Sequence, residues 1–169
     1  MKHCTLPTQV GPFTIVVSAA GAVRAAGFTT DVDALLHLVH PALREPVRPA
    51  ADLGAVTTAV RSYLAGDLTA IDRVPVEQRT DGAFLDHAWR VMRDVKPGAP
   101  VTYTAFAALA GRPAAVRAAA AACARNAVAL FVPCHRVLRS DGTLGGYRWG
   151  LPVKSWLLAH EDHDRPAAP

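Results

Sequence analysis

Apolar and polar positions along the first half of the chain predict a small α+β unit. Residues 13–17 and 22–28 are mostly apolar and flank the turn-prone pair Ala20-Gly21, which predicts a β-hairpin. The other elements predicted in this half are two helices and one strand, at 33–39, 56–64 and 71–76. This half contains no cluster of catalytic residue types.

The second half of the chain has helical spacing almost throughout. Apolar residues recur at this spacing over 81–95, which predicts a long helix. Thr102 suits the N-cap of a short helix over 103–110. Pro113 suits the first position of a helix over 113–125. These two short helices predict a helix-turn-helix, an arrangement that also occurs in proteins that bind no DNA.

The helix predicted at 113–125 has few long side chains. Five alanines follow Arg117 directly. A helix that reads the major groove carries long polar side chains, whereas a small-residue helix can press into the minor groove while an arginine enters the base stack or holds a phosphate. The alternative is that alanine, the best helix former, packs closely against a neighbouring helix.

Composition places the chain among globular proteins. Of its 169 residues, 51% are hydrophobic and 19% charged, and no apolar stretch reaches the roughly 20 residues that a membrane helix needs. The N-terminus lacks a signal-peptide pattern. The three cysteines form no C-x-x-C pair, which argues against a disulfide framework or a zinc module. We therefore expect an intracellular, cytoplasmic protein with no membrane association.

Charge is distributed unevenly along the chain, whose net charge is +4. The segment 96–140 holds six basic residues and no acidic one: Lys96, Arg112, Arg117, Arg125, Arg136 and Arg139. This predicts a positive surface suited to a polyanion. The alternative is a solvated basic face without a ligand.

The apolar run 128–132 leads directly into Pro133-Cys134-His135. The run predicts a short buried strand, and the proline predicts that the chain leaves the sheet there and presents Cys134 at an edge. An imidazole beside a thiol can take its proton and leave the thiolate, which is the form that attacks carbon. Cys134 is therefore the candidate nucleophile, although most single cysteines are buried small hydrophobes.

A glycine-rich loop and a last helix follow the cysteine. Residues 139–142 predict a turn, and residues 145–150 carry two aromatic rings that either line a pocket for a flat base or cover the core. The last helix is predicted at 153–160. Glu161 stands at its end, where a carboxylate can orient His135.

These residues resemble those of the O6-alkylguanine-DNA alkyltransferases, also called methylated-DNA-protein-cysteine methyltransferases. The run Pro133-Cys134-His135-Arg136-Val137 matches the family's signature, and the strong match covers about 84–163. The likeness over 5–76 is faint and rests on the Gly11-Pro12 hairpin pattern. The supporting segments, in the family's order and spacing, are 101–103, 107–111, Arg117, Asn126, 145–147 and 153–161.

The resemblance implies an α+β fold in two domains. A small N-terminal α/β unit of RNase H-like type would span 1–78. A mainly helical, winged helix-turn-helix-like domain for DNA binding and catalysis would span 79–165, with a tail at 166–169. It also implies a monomer that binds double-stranded DNA containing O6-alkylguanine, needs no cofactor and lies at the nucleoid when bound.

The resemblance implies a direct repair reaction. The alkyl group of O6-alkylguanine would move once and irreversibly to Cys134, after the base flips out through the minor groove; repair of O4-methylthymine stays open. His135 would take the thiol proton through a water, and Glu161 would orient His135. Asn126 would brace the turn before the cysteine, while Tyr103 would rotate the nucleotide and protonate the leaving guanine.

The resemblance also supplies the remaining site residues. The implied DNA contacts are Arg117, which would replace the flipped nucleotide, with Thr102, Ala118, Ala121 and Ala122. The implied pocket residues are Tyr147, Arg148, Trp149, Val137 and Lys154. The bulky Trp149 is expected to narrow the pocket and favour methyl over larger alkyl groups.

Three rival functions and a metal site are disfavoured by particular residues. Alkyltransferase-like proteins that bind without transfer carry tryptophan at the position of Cys134. A Cys-His hydrolase would leave the alanine helix unexplained, and a helix-turn-helix regulator would need base-reading side chains. The zinc of some family members is not expected, because Cys4 lacks cysteine or histidine partners near Ala19 and Arg24.

Overall fold

The computed structural model describes residues 1–162 and has a mixed α+β fold. It begins with a four-stranded sheet in the order β3-β2-β1-β4. Strands β2 (Gly11–Val17) and β3 (Val23–Gly27) pair antiparallel and form the predicted hairpin. The tail predicted at 166–169 lies outside the described residues.

Two further strands of this sheet were not predicted from the sequence. Strand β1 (Lys2–Thr8) pairs antiparallel along the whole of β2, and β4 (Arg48–Pro49) adds a short parallel pairing to β1. Only Cys4 and Leu6 of β1 are buried. Two alternating apolar residues are a weak signal, which is why the hydrophobic pattern did not reveal the strand.

Helices α1 (Val32–Leu38) and α2 (Ala55–Leu64) confirm the two helices predicted in this half. The strand predicted at 71–76 is wrong. Its place is taken by successive tight turns, in which the amide of Val74 donates to the carbonyl of Ile71. From just before this segment, buried residues recur every third position, which suits tight turns rather than a strand; they are Leu68, Ile71 and Val74.

The second half is mainly helical, as predicted. Thr102 caps its helix by accepting a hydrogen bond from the amide of Ala105 at 3.1 Å. The helix predicted from Pro113 begins instead at Val116, because Ala115 closes a tight turn by donating to the carbonyl of Arg112 at 2.8 Å. The elements are α3 (Ala83–Arg93), β5 (Val101–Thr102), α4 (Tyr103–Leu109), α5 (Val116–Ala124), β6 (Val137–Leu138) and α6 (Leu151–Glu161).

The strand predicted at 128–132 is also wrong. The run is a buried series of turns, in which Leu130 has a φ of 72° and the amide of Val132 donates to the carbonyl of Val128 at 3.0 Å. A short apolar run cannot be assigned to a strand by periodicity alone, since any fully buried segment gives the same pattern. The turns end at Cys134, the first residue of a 3-10 helix (Cys134–Arg136).

One hydrophobic core joins the two halves of the chain. It includes Phe13 of the sheet, Tyr63 of α2, Phe106 of α4 and Leu157 of α6, all fully buried. Backbone hydrogen bonds also cross between the halves, because Ala26 of β3 donates to the carbonyl of Ala127. Within residues 1–162, no helix is both long and apolar enough to cross a membrane.

Candidate active site and nucleic-acid interface

Cys134 lies at a cavity of about 320 Å³ between α5 and the loop that precedes α6. The residue is only 8% exposed, so its sulfur is reached from this cavity and not from the open surface. The other lining residues that matter below are Tyr103, Cys123, Asn126, Tyr147, Arg148 and Trp149.

Asn126 holds the turn that carries the cysteine. Its side-chain nitrogen donates to the carbonyl of Val132 at 2.7 Å and to Sγ of Cys134 at 3.3 Å. Its side-chain oxygen accepts from the amide of Val128 at 3.0 Å and from Nε2 of Gln78 at 3.1 Å. The amide therefore uses both donors and both acceptor positions, which fixes the turn and the sulfur together.

His135 and Glu161 form a buried pair. Nε2 of His135 lies 2.9 Å from Oε1 of Glu161, and both side chains are almost fully buried. With an ionised Glu161, Nε2 carries the proton and donates it, which leaves Nδ1 as an acceptor. Nδ1 is buried and has no hydrogen-bond partner among residues 1–162.

Three other donors reach the Glu161 carboxylate. Arg136 donates from Nε to Oε2 at 3.0 Å and from Nη2 to Oε1 at 2.9 Å. The Tyr63 hydroxyl, from α2, donates to Oε1 at 2.6 Å. Four hydrogen bonds therefore compensate for burying this charge, which explains how a carboxylate persists in the core.

The pKa values make the thiol and the imidazole uncharged at neutral pH. Burial raises the pKa of Cys134, and the hydrogen bond from Asn126 opposes this. Burial lowers the pKa of His135, and the hydrogen bond to Glu161 opposes this. Burial alone would raise the pKa of Glu161, but His135 and Arg136 hold it well below its usual value. The site thus holds a protonated thiol, a neutral base and an anion behind the base.

Two tyrosines line the cavity, Tyr103 from α4 and Tyr147 from the glycine-rich loop. Burial raises the pKa of both, so both keep their hydroxyl protons at neutral pH. The Tyr147 hydroxyl is buried without a partner among the described residues. Each is therefore available as a hydrogen-bond donor to a group in the cavity.

Trp149 forms part of the cavity wall and is supported by the N-terminal sheet. A methyl group at Gly27 of β3 would overlap the indole ring of Trp149. The ring therefore has no space to move toward the sheet, and Gly27 fixes how far the wall stands from Cys134.

Two residues predicted for the pocket do not line it. Lys154 is fully buried, and its Nζ donates to the carbonyls of Val137 and Leu144 at 2.6 and 2.5 Å. Val137 is fully buried as well. Lys154 thus ties the glycine-rich loop to β6 behind the cavity.

The predicted DNA contacts do not all lie on one exposed face. Arg117 is exposed at the start of α5, and Ala118 and Ala121 are half-buried beside it, while Thr102 is half-buried before α4. The assignment of Ala122 needs correction: it is fully buried, because its turn of α5 packs on Trp89, whose Nε1 donates to the Ala122 carbonyl at 2.9 Å.

One of the six basic residues predicted to form a positive surface over 96–140 is buried. Arg136 is 2% exposed and bound to Glu161, so it adds no charge to the surface. The other arginines of the segment are exposed: Arg112, Arg117, Arg125 and Arg139.

Known proteins share both the sequence and the fold. A family model described as 6-O-methylguanine DNA methyltransferase, DNA binding domain, matches residues 83–163. The methylated-DNA–protein-cysteine methyltransferase of Salmonella typhimurium is 34% identical over 163 residues, which covers 94% of each chain. The chain belongs to this family.

Two other similarities define the extent of the family relationship. Bifunctional transcriptional activator/DNA repair enzyme Ada of Escherichia coli is 49% identical over 79 residues, or 47% of this chain, but the chain spans only 22% of its length. Mycobacterium tuberculosis OGT in complex with DNA superposes with a TM-score of 0.82 at 26% identity, covering 99% of this chain and 96% of that one. The methyltransferase relationship therefore includes the N-terminal half, where the sequence pattern gave only a faint likeness.

Sequence reasoning missed three residues of this methyltransferase site. Tyr63, Gln78 and Gly27 all come from the N-terminal half and contact Glu161, Asn126 and Trp149. A lone tyrosine in an apolar helix is indistinguishable from core packing, so no local signal marks Tyr63. Among residues 1–162, no group of three or more His, Cys, Asp or Glu side chains is placed to hold a metal ion.

Proposed function

We propose that this chain repairs duplex DNA by transferring the alkyl group of O6-alkylguanine to Sγ of Cys134. The observation that carries the proposal is a thiol that lines a cavity and is followed directly in the chain by a buried imidazole, which is hydrogen-bonded to a buried carboxylate. Family membership supports the same reaction, since the relatives are named methylated-DNA–protein-cysteine methyltransferases.

Proton transfer begins the reaction. Nδ1 of His135 takes the Cys134 proton through one bound water, while Nε2–H stays on Glu161. Since the pKa of the thiol is raised, this base is needed to form the thiolate. Glu161 stabilises the imidazolium that results, in the way that a buried carboxylate assists a general base.

Alkyl transfer follows as a displacement at carbon. The sulfur forms a bond to the alkyl carbon as the bond from that carbon to O6 of guanine breaks, and the electron pair of that bond goes to the guanine. Tyr103 donates a proton to the guanine and recovers one from solvent, and the imidazolium of His135 releases its proton to solvent, so the net proton movement is from sulfur to guanine. The thioether formed has no leaving group that restores the thiol, so each molecule acts once.

In this proposal DNA binds against α5, next to the cavity that holds Cys134. The helix lies in the minor groove with its small side chains, and Arg117 enters the base stack in place of a nucleotide that flips into the cavity. The exposure of Arg117 and the volume of about 320 Å³ beside Cys134 support this arrangement. Thr102, Ala118 and Ala121 line the same approach, and the substrate pocket proper is formed by Tyr147, Arg148 and Trp149.

We also propose that the chain is divided into two domains as the family resemblance implies. In our proposal an RNase H-like unit spans 1–78, and a winged helix-turn-helix domain spans 79–165, with β5, β6 and the glycine-rich loop forming the wing. The protein acts as an intracellular monomer without a cofactor, and it lies at the nucleoid when bound to DNA.

Incubation with duplex DNA containing O6-methylguanine tests the proposal. Peptide mass spectrometry should find one added methylene on Cys134, and Cys134→Ala should bind the duplex without gaining mass. Cys123→Ala is the matched control, because Cys123 lines the same cavity and should not be the acceptor. Binding without transfer by the wild-type protein would indicate a lesion sensor, and mass gain on Cys123 would overturn the assignment of the acceptor.

A further inference from the structure

A second and larger cleft, of about 650 Å³, lies beside α5 and is separate from the reactive cysteine. One wall is α5, through Ala118 and Ala121. The rest of the lining includes the segment 37–44 of the N-terminal half and the segment 79–82 at the start of the second half. We propose that this cleft binds the phosphodiester backbone of the DNA strand next to the flipped nucleotide; the inference rests on the proposed function of α5.

The charge of the cleft suits a polyanion. Four arginines line it: Arg44, Arg79, Arg125 and Arg148. Among the described residues of its lining, Asp81 is the one carboxylate, and it lies 3.7 Å from Nε2 of His40. Neighbouring cations without carboxylate partners attract phosphate, and binding of a phosphate releases the counterions of the DNA.

The arginines that make hydrogen bonds here make them to carbonyls. Arg44 donates to the carbonyls of Val39 and His37 at 2.9 and 3.0 Å, and Arg148 donates to the carbonyl of Ala124 at 2.6 Å. A carbonyl orients a guanidinium without cancelling its charge. The two positive groups are therefore held in place and still carry their full charge toward the cleft.

The cleft adjoins the reactive cavity. Arg148 lines both, and α5 separates them, with Ala118 and Ala121 on one side and Ala120 and Cys123 on the other. A strand whose nucleotide enters the cavity must pass over α5, so its neighbouring phosphates fall at the cleft. The N-terminal half thereby becomes part of the DNA-binding surface.

The salt dependence of binding to an unmodified duplex tests this. Each of Arg44→Gln and Arg79→Gln should reduce the slope of log Kobs against log salt by about 0.9, the value for one phosphate contact. Each should also weaken binding about two- to fivefold. Arg73→Gln is the matched control, because Arg73 is exposed and lines a different cleft together with Asp72 and Asp94. The salt slope of this variant should equal that of the wild type.

A second measurement separates this inference from the proposed function. We compare the rate of methyl transfer from O6-methylguanine in duplex DNA with the rate from the free base. The ratio of the first rate to the second should fall in Arg44→Gln and in Arg79→Gln. Wild-type slopes and rate ratios in both variants would overturn the cleft assignment. If wild type transfers no methyl group at all, the proposed function fails, and the slopes on unmodified DNA still decide whether the cleft binds the backbone. Unchanged slopes together with binding of an acidic peptide would assign the cleft to a protein partner instead.

Discussion

Replacing Tyr63 with phenylalanine tests whether the N-terminal half takes part in the chemistry. The change keeps the buried ring and removes one hydrogen bond of 2.6 Å to the ionised Glu161. Hydrogen bonds to charged groups contribute about 1.5–3 kcal/mol to stability. For a chain of this size, 1 kcal/mol corresponds to about 2–4 °C in Tm, so we expect a decrease of roughly 3–12 °C.

The same substitution should move the pH dependence of transfer. Without the Tyr63 hydroxyl, Oε1 of Glu161 accepts more strongly from Nε2 of His135, and this raises the pKa of His135 above that in the wild type. In the proposed mechanism His135 acts as a base only when it is neutral, so the rate should fall as the pH drops through this pKa. The acid limb of the pH–rate profile therefore shifts to higher pH in Tyr63→Phe.

Single-turnover transfer from a methylated duplex, followed from about pH 5 to about pH 8, measures the shift. Val60→Ala is the matched control, since Val60 is fully buried on the same helix and has no polar atom. It should lower Tm and leave the acid limb where it is in wild type. An acid limb that coincides in Tyr63→Phe, Val60→Ala and wild type would refute the role of Tyr63, whatever its effect on Tm.

Three other substitutions give independent checks. Asn126→Ala removes four hydrogen bonds from the turn before Cys134, so denaturant titration should show a loss of about 2–5 kcal/mol; an unchanged midpoint would exclude the bracing role. Trp149→Gly should raise the rate ratio of benzyl over methyl transfer, and a wild-type ratio would show that Trp149 does not limit the cavity. Glu161 has a folded pKa below its unfolded value of about 4.3, so it stabilises the fold above that pH and ceases to do so as the pH falls. The difference in unfolding free energy between wild type and Glu161→Gln should therefore shrink from about pH 7 to about pH 3, and a constant difference would contradict the linkage.

The sequence predicted those elements whose signals are local. Thr102 was identified as an N-cap from its residue type, and the hairpin from its turn-prone centre, and both are found in the structure. The segments 71–76 and 128–132 were predicted as strands, because buried turns and buried strands share the same apolar composition. The contact between Tyr63 and Glu161 joins residues 98 positions apart, and no spacing rule reaches across that distance.

The convergence on Glu161 has a consequence for the chain during synthesis. Its donors come from residues 63, 135 and 136, so the carboxylate receives its full set of hydrogen bonds only when both halves have assembled. Before that point Cys134 is an ordinary thiol with a solvated histidine beside it. An unfinished or unfolded molecule therefore lacks the oriented base that the proposed reaction needs, and transfer from DNA to Cys134 begins only in chains that have completed folding.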